Sequence, residues 1–170
     1  MSNTVEHPEP SWIKEARKYI GLREVKGSKH NPEIIKMWAD IKRVGIKDDE
    51  TPWCAAFVGA MLERTLIQSS RFESAKSYMQ WGVPLNYPAV GSVVVFSRNG
   101  GGHVGFVVGK DASGNLLVLG GNQSDSVNIQ SFSPHSKTFP VVGYRWPKGV
   151  ALPSNSLPVL SKAEAATKVV

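Results

Sequence analysis

The stretch PAVGSVVVFSRNGGGHVGFVVG, residues 88–109, holds two β-branched runs separated by a glycine-rich turn, and it reads as strand, turn, strand. Working outward from it, residues before Gly82 place their apolar side chains at helical spacing. Those after it form further short β runs: NLLVLGG, SVNIQSF and FPVVGYRW. Helices first and strands second define an α+β domain, with helices packed on a mostly antiparallel sheet of about five strands. On the strand HVGFVVG, Val104, Phe106 and Val108 alternate to one face, while His103, Gly105, Val107 and Gly109 fall on the other. His103 follows three glycines, and small residues beside it leave room for the end of a helix.

Four helices are expected upstream. SWIKEARKYIGL carries Trp12, Ile13, Ala16, Tyr19 and Ile20 at helical spacing and stops at Gly21. NPEIIKMWADIK has Asn31 as N-cap, Pro32 at the first helical position, and Ile34, Ile35, Trp38 and Ile41 as its apolar stripe. A third helix begins in DETPWCAAFV, residues 49–58, with Thr51 as N-cap, Pro52 in the first turn and Phe57, Val58, Met61, Leu62 and Leu66 as its buried stripe. A fourth, SSRFESAKSYMQWG, has Ser70 and Glu73 at capping-box spacing and Gly82 as its stop. The expected organisation is a lead-in over residues 1–10, one domain over 11–147 and a Pro/Ser/Ala-rich tail over 148–170.

A single cysteine, Cys54, excludes an internal disulfide and a thiolate-rich zinc site, and four scattered histidines give weak support to any other metal centre. No metal or cofactor is expected. Asp48, Asp49 and Glu50 lack the alternating oxygen-ligand spacing of a calcium loop and read as complements to a helix dipole. No apolar run is long enough to span a bilayer, and MSNTVEHPEP lacks the build of a secretion signal. The expectation is a monomer made in the cytoplasm. The net charge of +6 favours anionic partners, but the bases are scattered among acids without interleaved aromatics, which argues against nucleic acid.

A lone cysteine is either core filler or a nucleophile. In the first turn of a helix, backbone N–H groups and the helix dipole point at the sulfur and favour the thiolate. His103 supplies a candidate base. A third group must fix the imidazole, and Asn122, at the end of the next strand, is the candidate, with Gln123 and Asp125 as local competitors and a plain turn role as the alternative. His7, His30 and His135 lie in less suitable surroundings.

Taken in order, TPWCAAFVGAMLE, SAKSYMQWG, PAVGSVVVFSRNGGGHVGFVVG and LVLGGNQSDSVNI resemble the CHAP amidase family, a branch of the NlpC/P60-type, papain-like cysteine peptidase superfamily. The resemblance runs from about Trp12 to Trp146. It implies a papain-like fold with Cys54 as nucleophile and His103 as base. It also implies hydrolysis of an amide in bacterial peptidoglycan, between sugar and stem peptide or within the peptides. Many relatives carry a Glu-x-Asn pattern on the third strand; here Gly120-Gly121-Asn122 stands in that place, so only the asparagine remains. Ser92 replaces a frequent aspartate and reads as structural. Trp53, beside the nucleophile, is a candidate wall of the substrate cleft, with a core role as the alternative.

Relatives of this kind act as phage lysins, wall-remodelling enzymes or antibacterial effectors, which implies action on the wall after release or delivery, with an immunity protein or delivery machinery as partner if the protein is an effector. Two rivals remain: a papain-like hydrolase of a non-peptidoglycan amide, and a silent wall-binding or virion module. Fast alkylation of Cys54 near pH 6 is the expectation for an activated thiol.

Overall fold

The computed structural model describes residues 9–27 and 29–167. His7 and most of the expected lead-in lie outside the described residues. Helices α1 (Ser11–Arg17), α2 (Pro32–Asp40) and α3 (Cys54–Arg64) precede a short 3₁₀ helix (Ala75–Gln80). Strands β1 (Val83–Leu85), β2 (Val93–Arg98), β3 (Gly101–Lys110), β4 (Leu116–Gln123), β5 (Ser126–Phe132) and β6 (Val141–Trp146) follow, and α4 (Lys162–Thr167) comes last. All strand pairs are antiparallel, in the order β1-β6-β2-β3-β4-β5. The five expected strands are β2 to β6; the sixth, β1, is a three-residue edge strand too short to show a period. This is the expected α+β architecture.

Alternation on the central strands holds. Val93, Val95, Val104, Phe106 and Val108 join α1, α2 and α3 in the main core, while Val94, Phe96, Val107 and Val118 form a smaller core on the opposite face. The sheet is thus buried on both sides at its centre, which is why β2 reads as an unbroken apolar run. The glycines on the His103 face receive other groups instead of the helix end expected from the sequence. A Cβ on Gly105 would meet Val118, and one on Gly109 would meet Pro158 and Leu160.

Helix α3 is buried at every position from Cys54 to Leu62. Gly59 lets it approach α2 and the 3₁₀ helix, since a Cβ there would meet Ile41 and the Tyr78 hydroxyl. Each of Phe57, Val58, Met61 and Leu62 contributes about 1.5–3 kcal/mol by leaving water. Three local expectations need correction. The helix begins at Cys54 with Trp53 in the cap position and no side-chain cap, and Thr51 lies before it with its backbone N–H donating to Asp48 Oδ1. Leu66, two residues past the helix end at φ 67°, is 97% exposed and not part of the stripe. The fourth helix is a 3₁₀ segment capped by Ser74, while Ser70 bonds the Ser77 hydroxyl and Glu73 pairs with Arg43.

Asn31 caps α2 as expected, its side chain accepting from the Glu33 N–H. Asp49, fully buried, ties this entry to the segment before α3: its carboxylate accepts from the backbone N–H groups of Val25 at 2.6 Å and Asn31 at 2.8 Å, and faces His30 Nδ1 at 3.1 Å. The segment read as a tail runs back over the domain. Val159 pairs with Lys110, Tyr87 donates to the Pro153 carbonyl, and Arg17 bonds both Glu9 and the Ala165 carbonyl.

Burial disfavours the Asp49 carboxylate, but the bonds from Val25, Asn31 and His30 outweigh it and hold the group below the ordinary carboxylate range. A depressed folded value means that its contribution is present above the unfolded pKa of about 3.9 and is lost as pH falls through the lower folded value. Asp49→Ala is expected to cost roughly 3 kcal/mol at pH 7. Urea unfolding of both proteins should show that difference shrinking towards pH 2.

Candidate active site

Cys54 heads α3 with the first turn of the helix behind it, and its side chain is directed at the start of β3. The paired register between β3 and β4 begins at Phe106 and Leu119, so the backbone of Val104 lies beyond that ladder. The backbone N–H groups of Val104, Ala55 and Cys54 itself lie near enough to the sulfur to stabilise its anion. The residue is only 6% exposed. Burial pushes the thiol above its ordinary range, and those N–H groups and the cation of Arg98 offset this only in part. The helix start therefore does not deliver a resting thiolate, contrary to the expectation from sequence.

His103 is 7% exposed and lies on the backbone next to Val104. Its ring faces Phe96, Phe132 and Phe139 at centroid distances of 6.1, 5.8 and 6.1 Å. Burial lowers its pKa, the bond to Gln123 acts the other way, and the charge of Arg98 lowers it further. Near neutral pH the pair rests as uncharged thiol and uncharged imidazole. Among the described residues no hydrogen bond joins the sulfur to the ring directly; the ring is bonded at Nε2, 2.9 Å from Gln123 Oε1.

That partner corrects the reading of Asn122. Between Gly120 and Gln123 the β4–β5 register shifts, with Gly120 opposite Asn128 and Gln123 opposite Ser126, so Gly121 and Asn122 together stand against Val127 in a bulge with one extra residue. Asn122 takes φ 56° and leaves the strand alternation on which its placement beside His103 depended. Ser124 and Asp125, both with positive φ, then make the tight turn into β5. Asp125 is likewise not bonded to His103. The sequence did name Gln123 as a competitor, but nothing in its spacing could show the bulge.

Trp53 is also corrected. It is fully buried, donates from Nε1 to Glu24 Oε1 at 2.7 Å, and packs its ring where a Cβ on Gly121 would stand. It supports the site from beneath and has no face open to a substrate. Ser92 is structural as expected, its hydroxyl donating to the Ala89 carbonyl within a buried turn. His30, Asp49 and Glu50 bring ligand-type atoms within 4.8 Å of one another. They do not fit a calcium cage of the kind some CHAP relatives hold, because both Asp49 oxygens already face nitrogen groups.

A cysteine-headed helix packed on an antiparallel sheet, with a histidine at the start of the adjoining strand, defines a papain-like hydrolase scaffold. The CHAP domain family model matches residues 46–122, which include Cys54, His103 and Asn122, so this segment is similar to a CHAP domain. The match ends one residue short of Gln123. Among curated proteins none matches the chain. CHAP domains are in general hydrolases of the cysteine and histidine type, and the match supports a peptidoglycan amidase-type activity as the broad class.

The raised thiol pKa carries an expectation opposite to the one from sequence. Iodoacetamide should modify Cys54 slowly at pH 6, with a rate constant that continues to climb above pH 8.5, the ordinary thiol value of about 8.5 being exceeded. Mass spectrometry of the intact protein across a pH series checks it.

Proposed function

We propose that this CHAP-like domain hydrolyses an amide bond of bacterial peptidoglycan with Cys54 as nucleophile and His103 as general base. The observation that carries the reading is the junction of α3 and β3: a buried thiol at a helix start lies near the N–H of Val104, the residue next to a histidine whose Nε2 is held by Gln123. An inert filler has no need of that arrangement.

Because the resting pair is neutral, the proton leaves sulfur for His103 as the S–C bond forms, rather than from a thiolate already present. The developing oxyanion is met by N–H groups at the start of α3, those of Cys54 and Ala55. The protonated imidazole then gives its proton to the leaving amine as the C–N bond breaks. Water, deprotonated by His103, releases the acyl group from sulfur. Arg98, exposed at the end of β2, disfavours the imidazolium and favours the sulfur anion.

The net charge of +6 suits the anionic polymers of bacterial walls. Within this reading the bond is either that of an N-acetylmuramoyl-L-alanine amidase or that of a stem or cross-bridge endopeptidase. The setting is a phage lysin or a delivered antibacterial effector, acting at the wall as a monomer.

Cys54→Ala is expected to cut the clearing of a purified peptidoglycan suspension by about 10⁴-fold or more with an unchanged circular dichroism spectrum. Clearing at the wild-type rate would sink the hydrolase reading. Mass analysis of released fragments then separates intact sugar with free alanine amine from shortened stems. For the wild type, kcat/KM should fall on the acid side only below the ordinary imidazole value of about 6.5, since a lowered His103 remains a base to more acid pH.

A further inference from the structure

We propose that Gln123 is the positioning residue for His103, its amide filling the place left by the missing side chain of Gly120 and holding the ring in the Nε2–H tautomer. The inference rests on the catalytic reading of Cys54 and His103, and it identifies which group orients the base and how.

The spatial exchange follows from the glycine itself. A Cβ built on Gly120 would lie 2.4 Å from Gln123 Oε1 and 2.9 Å from its Cδ, and the three nearest atoms all belong to Gln123. The amide thus occupies the start of the path that a side chain at 120 would take. The bulge at Gly121 and Asn122 makes this reachable, because it turns the strand so that Gln123 folds back over Gly120.

The direction of the amide is fixed by a chain of bonds in which each member leaves one choice. The backbone carbonyl of Gln123 can only accept, so the group facing it at 2.7 Å is Asn128 Nδ2, which also donates to Ser126 Oγ. That leaves Asn128 Oδ1 as an acceptor, 3.0 Å from Gln123 Nε2. Two more acceptors, the carbonyls of Asn128 at 2.9 Å and Val118 at 3.2 Å, face the same nitrogen. Three acceptors around one group require the NH₂ there, so Oε1 faces His103. The bond of 2.9 Å then needs a proton on Nε2, and the lone pair falls on Nδ1. Phe96, Phe132 and Phe139 limit ring rotation.

The same three acceptors set Gln123 apart from a carboxylate orienter. A glutamate at 123 would present an oxygen to Val118 and Asn128 where a donor is required, whereas a glutamate at 120 would reach the ring once Gln123 is shortened.

The experiment uses the full chain labelled with ¹⁵N in its histidines, with His103 signals assigned by their loss in His103→Ala. Long-range ¹H–¹⁵N spectra at pH 7.5 should show His103 protonated at Nε2, and a mixture of tautomers in Gln123→Leu. Gln123→Ala should lower kcat on peptidoglycan by on the order of 10²-fold with KM changing less than about twofold. Gln123→Glu should be as impaired as Gln123→Ala, and Gly120→Glu combined with Gln123→Ala should recover at least about tenfold of the loss, which a merely structural role for Gln123 would not allow. A wild-type ring protonated at Nδ1 overturns the inference whether or not the variants fold, as does a Gln123→Ala protein with wild-type kcat and tautomer. The tautomer is read without substrate, so it stands apart from the outcome for Cys54→Ala.

Discussion

The contact on which the site depends is that of bare backbone against the first turn of α3. Gly121 lies where a Cβ would strike Phe57 and Trp53, so β4 can meet the helix only because that position has no side chain. Once the strand is seated there, it must leave its regular course, and the bulge and left-handed Asn122 follow. From the bulge come the turn at Ser124 and Asp125 and the return of Gln123 over Gly120. A helix buried on all sides thus dictates the local path of the strand next to it, and that path decides which amide reaches the histidine.

Burial also sets the resting charge. A thiol and an imidazole that are each almost withdrawn from water have no surrounding dielectric to support an ion pair, and the dipole of the first helical turn does not reverse that cost. The neighbouring cation of Arg98 acts on both members in opposite chemical senses, easing the sulfur anion while resisting the protonated ring. The neutral Gln123 adds no countercharge that would hold an imidazolium.

Much of this was legible in the residue order. Asn31-Pro32 marked a helix start, Gly82 a stop, the period-two pattern of β3 gave both of its faces, and the places of Cys54 at a helix start and His103 near a strand start were legible too. What was lost has a common cause. Asn122, Leu66, Thr51 and the Ser70–Glu73 box were all placed by extending a regular period or cap across a point where the backbone departs from it. A bulge, a left-handed residue after a helix and a 3₁₀ turn are each set by packing against distant elements, as Gly121 is by Phe57 and Trp53. Trp53 illustrates the converse: its ring is drawn inward by Glu24, 29 positions upstream, a pairing that no local pattern encodes.

The ion pair of Glu9 with Arg17, and the bond from that arginine to the carbonyl of Ala165, gather the first and last described elements at one point. The fold is closed into a ring in everything but a covalent bond. Its topology is then better regarded as a cycle than as a line, and a circular permutant opened at the exposed Asp111–Asn115 turn would keep every layer of the core in place.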